Sequence, residues 1–352
     1  MINRRNFLKL AGAVGAAMFL NLHGSSIVRA IEQAGEKGVK LIWLQGQSDT
    51  GCTVSLLQGT HPDIYDAIMK LNVDIRFHPT IMAAQGKEAM AALEIEPDVL
   101  VLEGSIPDAK FATVGERPIK DLFRELAAKT KVAVVAVGAC ATYGGIPAAD
   151  GNVTNSAGAQ FHKSKKGGAL GADFKSKAGL PVVNLPGCPA HPDHILLTLS
   201  AVILGAIPEL DSMGRPKLFF NDHIHNQCAR RGYYDRGQLA SSFHETDFSY
   251  EKCLYNLGCR GPVTYSDCAF RKWNGGINVC MNGGAPCIGC FNEGFPDEMS
   301  PLFESIENVP TLLGIDMGTI GKVAVVATAA GIATHAVRRG LTKKPGQKEE
   351  DK

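Results

Sequence analysis

Ten cysteines carry most of the chemistry available to this 352-residue chain. Three stand singly in glycine-containing turns: Cys52 in "GQSDTGCT", Cys140 in "VGACATYGG" and Cys188 in "LPGCPAHP". The others follow in a cysteine-rich second half, as "HIHNQC" (His225, Cys228), "CLYNLGC" (Cys253, Cys259), "YSDC" (Cys268), "NVC" (Cys280) and "PCIGC" (Cys287, Cys290). A structural zinc site asks for two C-x-x-C pairs or close Cys/His pairs, and only one true C-x-x-C occurs, at Cys287–Cys290. Iron–sulfur centres accept wider and less regular thiolate spacing, at times with a histidine. An even count also permits five disulfides. A disulfide framework, however, belongs to small domains without a core of their own, which does not explain cysteines placed in the turns of a large α/β domain. Asp49 stands three residues before Cys52, where a second cysteine would be usual. The first site therefore offers three thiolates and one carboxylate.

The elements that must position these side chains read as strand–helix alternation over 39–205. Strand candidates are 39–45, 73–77, 98–104, 131–138 and 181–187, with helical patterns at 61–71, 85–95, 118–129 and 191–204. Such alternation implies a parallel sheet covered by helices on both faces. The nearly unbroken apolar run 132–137 suits a central strand. Ligands of such sheets bind beyond the carboxyl ends of the strands. That is where Cys52, Cys140, Cys188 and Glu103 of "LEGSIP" fall. The polar Gly/Lys-rich segment 150–180 reads as a long surface excursion. After residue 207 the periodicity collapses, and 207–315, with so little apolar pattern, needs something else to hold it together. No G-x-G-x-x-G occurs, and "GQSDTGCT" lacks the lysine of a phosphate-binding loop, so a nucleotide is a weak alternative.

A formal net charge of +1 gives no reason to expect nucleic acid as a partner. The termini point to a membrane. "MINRRNFLKLAGAVGAAMFLNL" has paired Arg4 and Arg5 ahead of a moderately apolar run, the pattern of a twin-arginine export signal, with "VRA" offering cleavage by residue 30. Folded export suits a chain that receives its metal cofactor inside the cell. Near the other end, 317–337 is apolar apart from Lys322 and His335, about long enough to cross a bilayer. Arg338, Arg339, Lys343 and Lys344 follow and would stay on the cytoplasmic side. The bulk of the chain would then face outward, anchored by a C-terminal transmembrane helix.

The order of these motifs resembles the small subunit of membrane-bound, uptake-type nickel–iron hydrogenases. "WLQGQSDTGCT", "LEGSIP", "VGACATYGG", "LPGCPAHP", "HIHNQCARRGYYDRGQ", "KCLYNLGCRGPVTYSDC", "WNGG", "APCIGC" and "GFPDEMSP" occur in family order over about 38–303. The resemblance implies a flavodoxin-like domain (36–206) with a proximal cluster, then an iron–sulfur domain (207–315) with medial and distal clusters. It assigns Cys52, Cys140 and Cys188 to the proximal cluster, His225, Cys228, Cys253 and Cys259 to the distal one, and Cys268, Cys287 and Cys290 to the medial one. Two departures complete the sets. Asp49 replaces the first proximal cysteine, and Cys280 stands where the medial segment usually has proline. Three 4Fe–4S clusters are expected. The alternative is a 3Fe–4S proximal cluster, with Asp49 serving only to cap the following helix. The extra proximal cysteines of oxygen-tolerant members are replaced by Gly51 and Gly145.

The implied partners are a large subunit holding the nickel–iron centre and a membrane cytochrome b or quinone-reactive subunit, in a heterodimer or larger assembly. Glu103 matches a family glutamate near the subunit interface discussed in proton movement; alternatively it fixes a strand-end turn. His191 and His194 are read as helix-start or helix-facing residues. His335 is read as an interfacial histidine, with proximity to a haem of the partner as the alternative. Arg230 and Arg231 either bring positive charge to the distal cluster or form a solvated face. The competing functions are an independent iron–sulfur carrier or quinone-reductase-type subunit, and an exported disulfide-stapled binding protein.

Overall fold

The computed structural model describes residues 38–60 and 63–305. The export signal, the proposed anchor at 317–337 and His335 lie outside the described residues. Among the described residues no helix is long and apolar enough to cross a membrane.

Five strands form one parallel sheet: β1 (Val39–Gln45), β2 (Val73–Phe77), β3 (Val99–Glu103), β4 (Ala133–Val137) and β5 (Val183–Leu185). Their order is β2-β1-β3-β4-β5, every neighbour parallel. This is the flavodoxin-like doubly wound order, in which the chain reverses direction between β1 and β3 and opens a crevice at their carboxyl ends. β3 and β4, "VLVLE" and "AVVAV", are buried at every position, as central strands covered on both faces must be.

Alternate residues feed two cores. Leu41, Trp43, Val99, Val101, Val135 and Val137 face one side, with Leu56, Ala67 and Leu71. Ile42, Leu44, Leu100, Leu102, Val134 and Ala136 face the other, against Leu122, Phe123 and Leu126. On the first side lie α1 (Gly51–Leu57), α2 (Ile64–Leu71) and a long helix at Pro192–Ile203. The helix at Ile119–Lys129 covers the second. Its buried Ile119, Leu122, Phe123, Leu126 and Ala127 recur at helical spacing.

The segment 150–180 is not simply a surface excursion. Ser156, Ala159, Gln160 and Phe161 are buried, and Gln160 bonds to the Ala172 and Phe174 carbonyls and to the Val182 N–H. Its polar composition hides these anchors, because a few buried residues suffice to pin a glycine-rich loop.

Beyond residue 207 the described helices shrink to four or five residues, as at Ile224–Gln227 and Cys268–Arg271. This region still shares a core with the sheet. Phe219, Phe220, Cys259, Cys268, Met281, Cys287 and Phe291 pack in the same cluster as Val183, Leu185 and Ile195. The Pro192–Ile203 helix is the joint, buried along almost its whole length. His191 caps its start by accepting from the Asp193 N–H (3.2 Å), and its Nε2 lies 2.6 Å from the Lys272 carbonyl. His194 bonds Asp267, immediately before Cys268, at 2.6 Å.

Candidate functional site

α1 starts without a side-chain cap on its N-cap residue Thr50, whose φ is +65°. Its exposed amides are satisfied from elsewhere. The Ser48 hydroxyl accepts from Thr50 N–H (3.0 Å) and the Asp49 carboxylate from Gly51 N–H (2.8 Å). The N–H groups of Cys52 and Thr53 reach across to Glu103 at the end of β3, at 3.0 and 3.2 Å. A carboxylate at a helix N-terminus satisfies orphan donors and opposes the helix dipole. Glu103 is 1% exposed and also accepts from Trp43 Nε1 (2.9 Å), Gln45 Nε2 (3.1 Å), Ser48 Oγ (3.1 Å) and the Thr53 hydroxyl. Ser55 in α1 donates to the Ala190 carbonyl at 2.6 Å, tying the helix to the Cys188 turn.

These bonds aim four side chains at one cleft of about 470 Å³. Asp49, Cys52, Cys140 and Cys188 all line it, with Glu103 at its floor. The lining comes from the carboxyl ends of β1, β3, β4 and β5, the place such a sheet reserves for ligands. Gly138 makes the convergence sterically feasible. A Cβ there would lie 2.5 Å from the Cys52 sulfur, and its φ of +92° is a conformation glycine adopts freely. Sequence reasoning missed it as a site residue; the signal was its place directly before "AC" at a strand end.

His225, Cys228, Cys253 and Cys259 line a second cavity together with Arg230 and Met281. Burial first, then Arg231, pushes the His225 imidazole down to about 4, so near neutral pH it is uncharged and able to offer a lone pair. Cys268, Cys280, Cys287 and Cys290 form a third group. They lie close enough to raise one another's thiol pKa: Cys280 and Cys290 act on Cys268, and Cys268 and Cys290 act on Cys287.

The third group neighbours both of the others. The Cys188 main chain faces the Cys290 sulfur, next to the first group, and Cys287 lies against Cys259 of the second. Asp49, Cys52, Cys140 and Cys188 are thus brought to one cleft, His225, Cys228, Cys253 and Cys259 to a second, and Cys268, Cys280, Cys287 and Cys290 near one another.

The donor set fits clusters rather than single ions. All ten cysteines are free of disulfides. Among the described residues no group of three or more His, Cys, Asp or Glu closes tightly enough to hold one metal ion. A zinc site would need that, with sulfurs about 2.3 Å from the metal. Burial pushes the thiols up, Cys140 and Cys290 to about 12 and Cys253 to about 11, with neighbouring cysteines adding to the rise. Crowded buried thiols of this kind become thiolates when cationic iron takes their charge. Main-chain N–H groups already point at sulfur: Ala190 at Cys52 (3.5 Å), Arg230 at Cys228 (3.4 Å) and Gly289 at Cys287 (3.4 Å).

Arg230 and Arg231 separate. Arg231 is half-buried, lines the same cavity as Arg230 and pairs with Asp235 at 2.7 Å. Arg230 is 1% exposed, so for it the solvated-face reading does not hold.

Comparison with known proteins agrees with this geometry. The family of C-terminal domains of the NiFe/NiFeSe hydrogenase small subunit matches residues 220–303, and the family "NADH ubiquinone oxidoreductase, 20 Kd subunit" matches 50–202. Residues 1–20 match the twin-arginine translocation pathway signal sequence. The chain is 42% identical to the F420 non-reducing hydrogenase II small subunit of Methanosarcina mazei, over 96% of this chain and 93% of that one. It is 41% identical to the periplasmic [NiFeSe] hydrogenase small subunit of Desulfomicrobium baculatum, over 86% and 98% respectively. Among solved structures, the actinobacterial-type NiFe-hydrogenase of Ralstonia eutropha H16 superposes with a TM-score of 0.69 at 31% identity, covering 90% of this chain and 94% of that one.

Proposed function

Because the chain belongs to the small-subunit family of NiFe and NiFeSe hydrogenases, we propose that its twelve converging side chains hold three iron–sulfur clusters in a row. The chain is the electron-transfer subunit of a nickel–iron hydrogenase, whose catalytic site lies in the large subunit. Asp49, Cys52, Cys140 and Cys188 would hold the proximal cluster. Cys268, Cys280, Cys287 and Cys290 would hold the medial one, and His225, Cys228, Cys253 and Cys259 the distal one. Each is read as 4Fe–4S.

Iron–sulfur clusters supply one-electron redox steps whose potentials follow ligand type, net charge, hydrogen bonds to sulfur and exposure. The residues of this chain fix the spacing of the three sites, exclude water from them and aim N–H groups at the sulfurs. Glu103 we read first as the cap that holds Cys52 in place, with proton movement as the second reading. The observation that supports this reading is that the third group neighbours both of the others, through Cys188 and Cys290 and through Cys259 and Cys287.

The match over 50–202 gives the quinone-reductase-type alternative a specific footing, but it stops before the cysteines of the second half. Iron and acid-labile sulfide in anaerobically purified protein test the assignment: three cubanes give about twelve irons per chain. A content near eight removes one cluster, and none returns the chain to a cysteine-rich binding protein. Nickel in a co-purifying large subunit separates the hydrogenase from a lone carrier.

The matched signal supports export by the twin-arginine route. For the span 317–337 we propose a membrane anchor, with a cytochrome b or quinone-reactive subunit as the electron acceptor and hydrogen uptake as the working direction. A chain ending at residue 316 should then leave the membrane fraction while keeping its iron. Retention on the membrane would remove the anchor.

A further inference from the structure

Among the described residues Arg215, Arg230 and Arg260 are buried. Two of them, Arg230 and Arg260, donate to main-chain carbonyls rather than to a carboxylate; Arg260 uses those of Met299, Glu304 and Pro301. Arg215 pairs with Asp211 at 2.7 Å, and Arg271 pairs with Asp267 and Asp193. Arg230 forms no ion pair among the described residues. Its guanidinium donates to three neutral main-chain acceptors: the carbonyls of Met281 (Nε, 2.9 Å), Lys252 (Nη1, 2.7 Å) and Thr246 (Nη2). Phe248 covers it, with the guanidinium carbon 4.0 Å from the ring centroid. Asp247 also faces it, but that carboxylate is exposed and bonded to the Ser249 N–H at 2.6 Å. A buried charge is costly unless something opposite faces it. The groups that do face it are the thiols of Cys228 and Cys253, on both of which Arg230 acts.

The other end of the row has the opposite sign. Asp49 lines the proximal cleft, and Glu103 uses its oxygens only as acceptors there. Beside the medial group, Asp267 is matched by Arg271 and His194. Fixed charge is therefore acidic at the proximal site and basic at the distal site, where buried Arg260 directly follows Cys259.

We propose that Arg230 is a positioning residue for electron flow, a fixed positive charge that raises the reduction potential of the distal site relative to the proximal one. The inference rests on the cluster assignment above. Reduction adds one negative charge, so a nearby cation favours the reduced form and carboxylates favour the oxidised form. Electrons arriving from the large subunit then move downhill toward the distal end, which favours hydrogen oxidation over hydrogen evolution. The low dielectric of the interior keeps the charge effective, while the Asp247 carboxylate that also faces it is exposed and screened by solvent.

The test is an EPR-monitored redox titration of the intact heterodimer. Arg230→Gln should move the distal midpoint potential negative and leave the proximal one in place, while Arg230→Lys, which keeps the charge, should stay near wild type. The ratio of hydrogen oxidation to evolution should fall in the Gln variant. An equal shift in Gln and Lys would assign the effect to the carbonyl hydrogen bonds and overturn the proposal, as would no shift in either. Phe248→Glu covers the case in which Arg230 variants fail to assemble. It sets a carboxylate over the guanidinium from an exposed position and should also move the distal potential negative, whereas Phe248→Gln should not. An unmoved potential in Phe248→Glu refutes the charge role. Iron near twelve per chain in wild type, with no distal shift in these variants, sinks this inference alone; iron far below that sinks the cluster assignment itself.

Discussion

The main chain of Cys188 faces the sulfur of Cys290, across about a hundred residues of sequence, where the first and third cysteine groups meet. Cys188 is held by the end of β5, while Cys290 closes the "PCIGC" turn. This contact ties the parallel sheet to the loop-rich region at the point where an electron would cross between them. Replacement of Cys290 by serine should therefore abolish the medial EPR signal and also alter the proximal one. Cys268→Ser, remote from that contact, should abolish the medial signal alone. Identical proximal spectra in both variants would argue that the contact carries no influence between sites.

Gly138 is the closest steric constraint on the proximal cleft. At φ +92° and ψ 158° it occupies a region that is almost closed to other residues. Alanine there should cost about 1–3 kcal/mol in strain, and its Cβ would push against the Cys52 sulfur. The expected result is a lower melting temperature with selective loss of the proximal signal. Medial and distal signals should persist, since neither site touches this turn.

Asp49 already bonds the Gly51 N–H and lines the cleft at the same time. As an iron ligand it is a harder, less covalent donor than thiolate. Asp49→Asn should change the Mössbauer and EPR spectra of the proximal site, and Asp49→Cys should retain four irons there at a shifted potential. A proximal spectrum untouched by Asn would leave Asp49 as a turn residue only.

The His194–Asp267 pair clamps the long helix Pro192–Ile203 to the medial cysteines. Burial pushes the Asp267 carboxyl up, but His194 and Arg271 outweigh it and hold the group at about 2. Asp267→Ala leaves the buried His194 without its partner and should cost about 1–3 kcal/mol. The folded value lies below the usual carboxylate range of about 3.9. The stabilisation is therefore complete above that range and disappears as pH falls through the folded value. The gap in unfolding free energy between wild type and Asp267→Asn should stay level from neutral pH to about 5 and narrow only below about 4. A gap that narrows between pH 7 and 5 would assign the effect to another group.

Much of the first half was legible because its signals are local. β3 and β4 are short apolar runs with nothing to interrupt them, and the helix at 119–129 carries its buried residues at a regular period. Cysteine turns directly after strands place their side chains at one edge of any parallel sheet. The buried anchors of 150–180 were not legible, since Gln160 and Phe161 are single residues in polar surroundings with no period to detect. Arg230 and Arg231 are identical in sequence terms. One is buried beneath Phe248 and the other, half-buried, pairs with Asp235.

The sequence by itself determined the alternation that builds the sheet and the donor types on offer, which follow from periodicity and ligand chemistry and depend on neighbours along the chain. The grouping of ten cysteines with one histidine and one aspartate is what the resemblance to hydrogenase small subunits implies. Tertiary structure alone decided that Glu103 caps α1, that Gly138 makes room for Cys52, and that an arginine bonded to carbonyls faces the distal thiols. Each of these depends on which groups distant in sequence are brought within a few ångströms, where sterics and charge act through space.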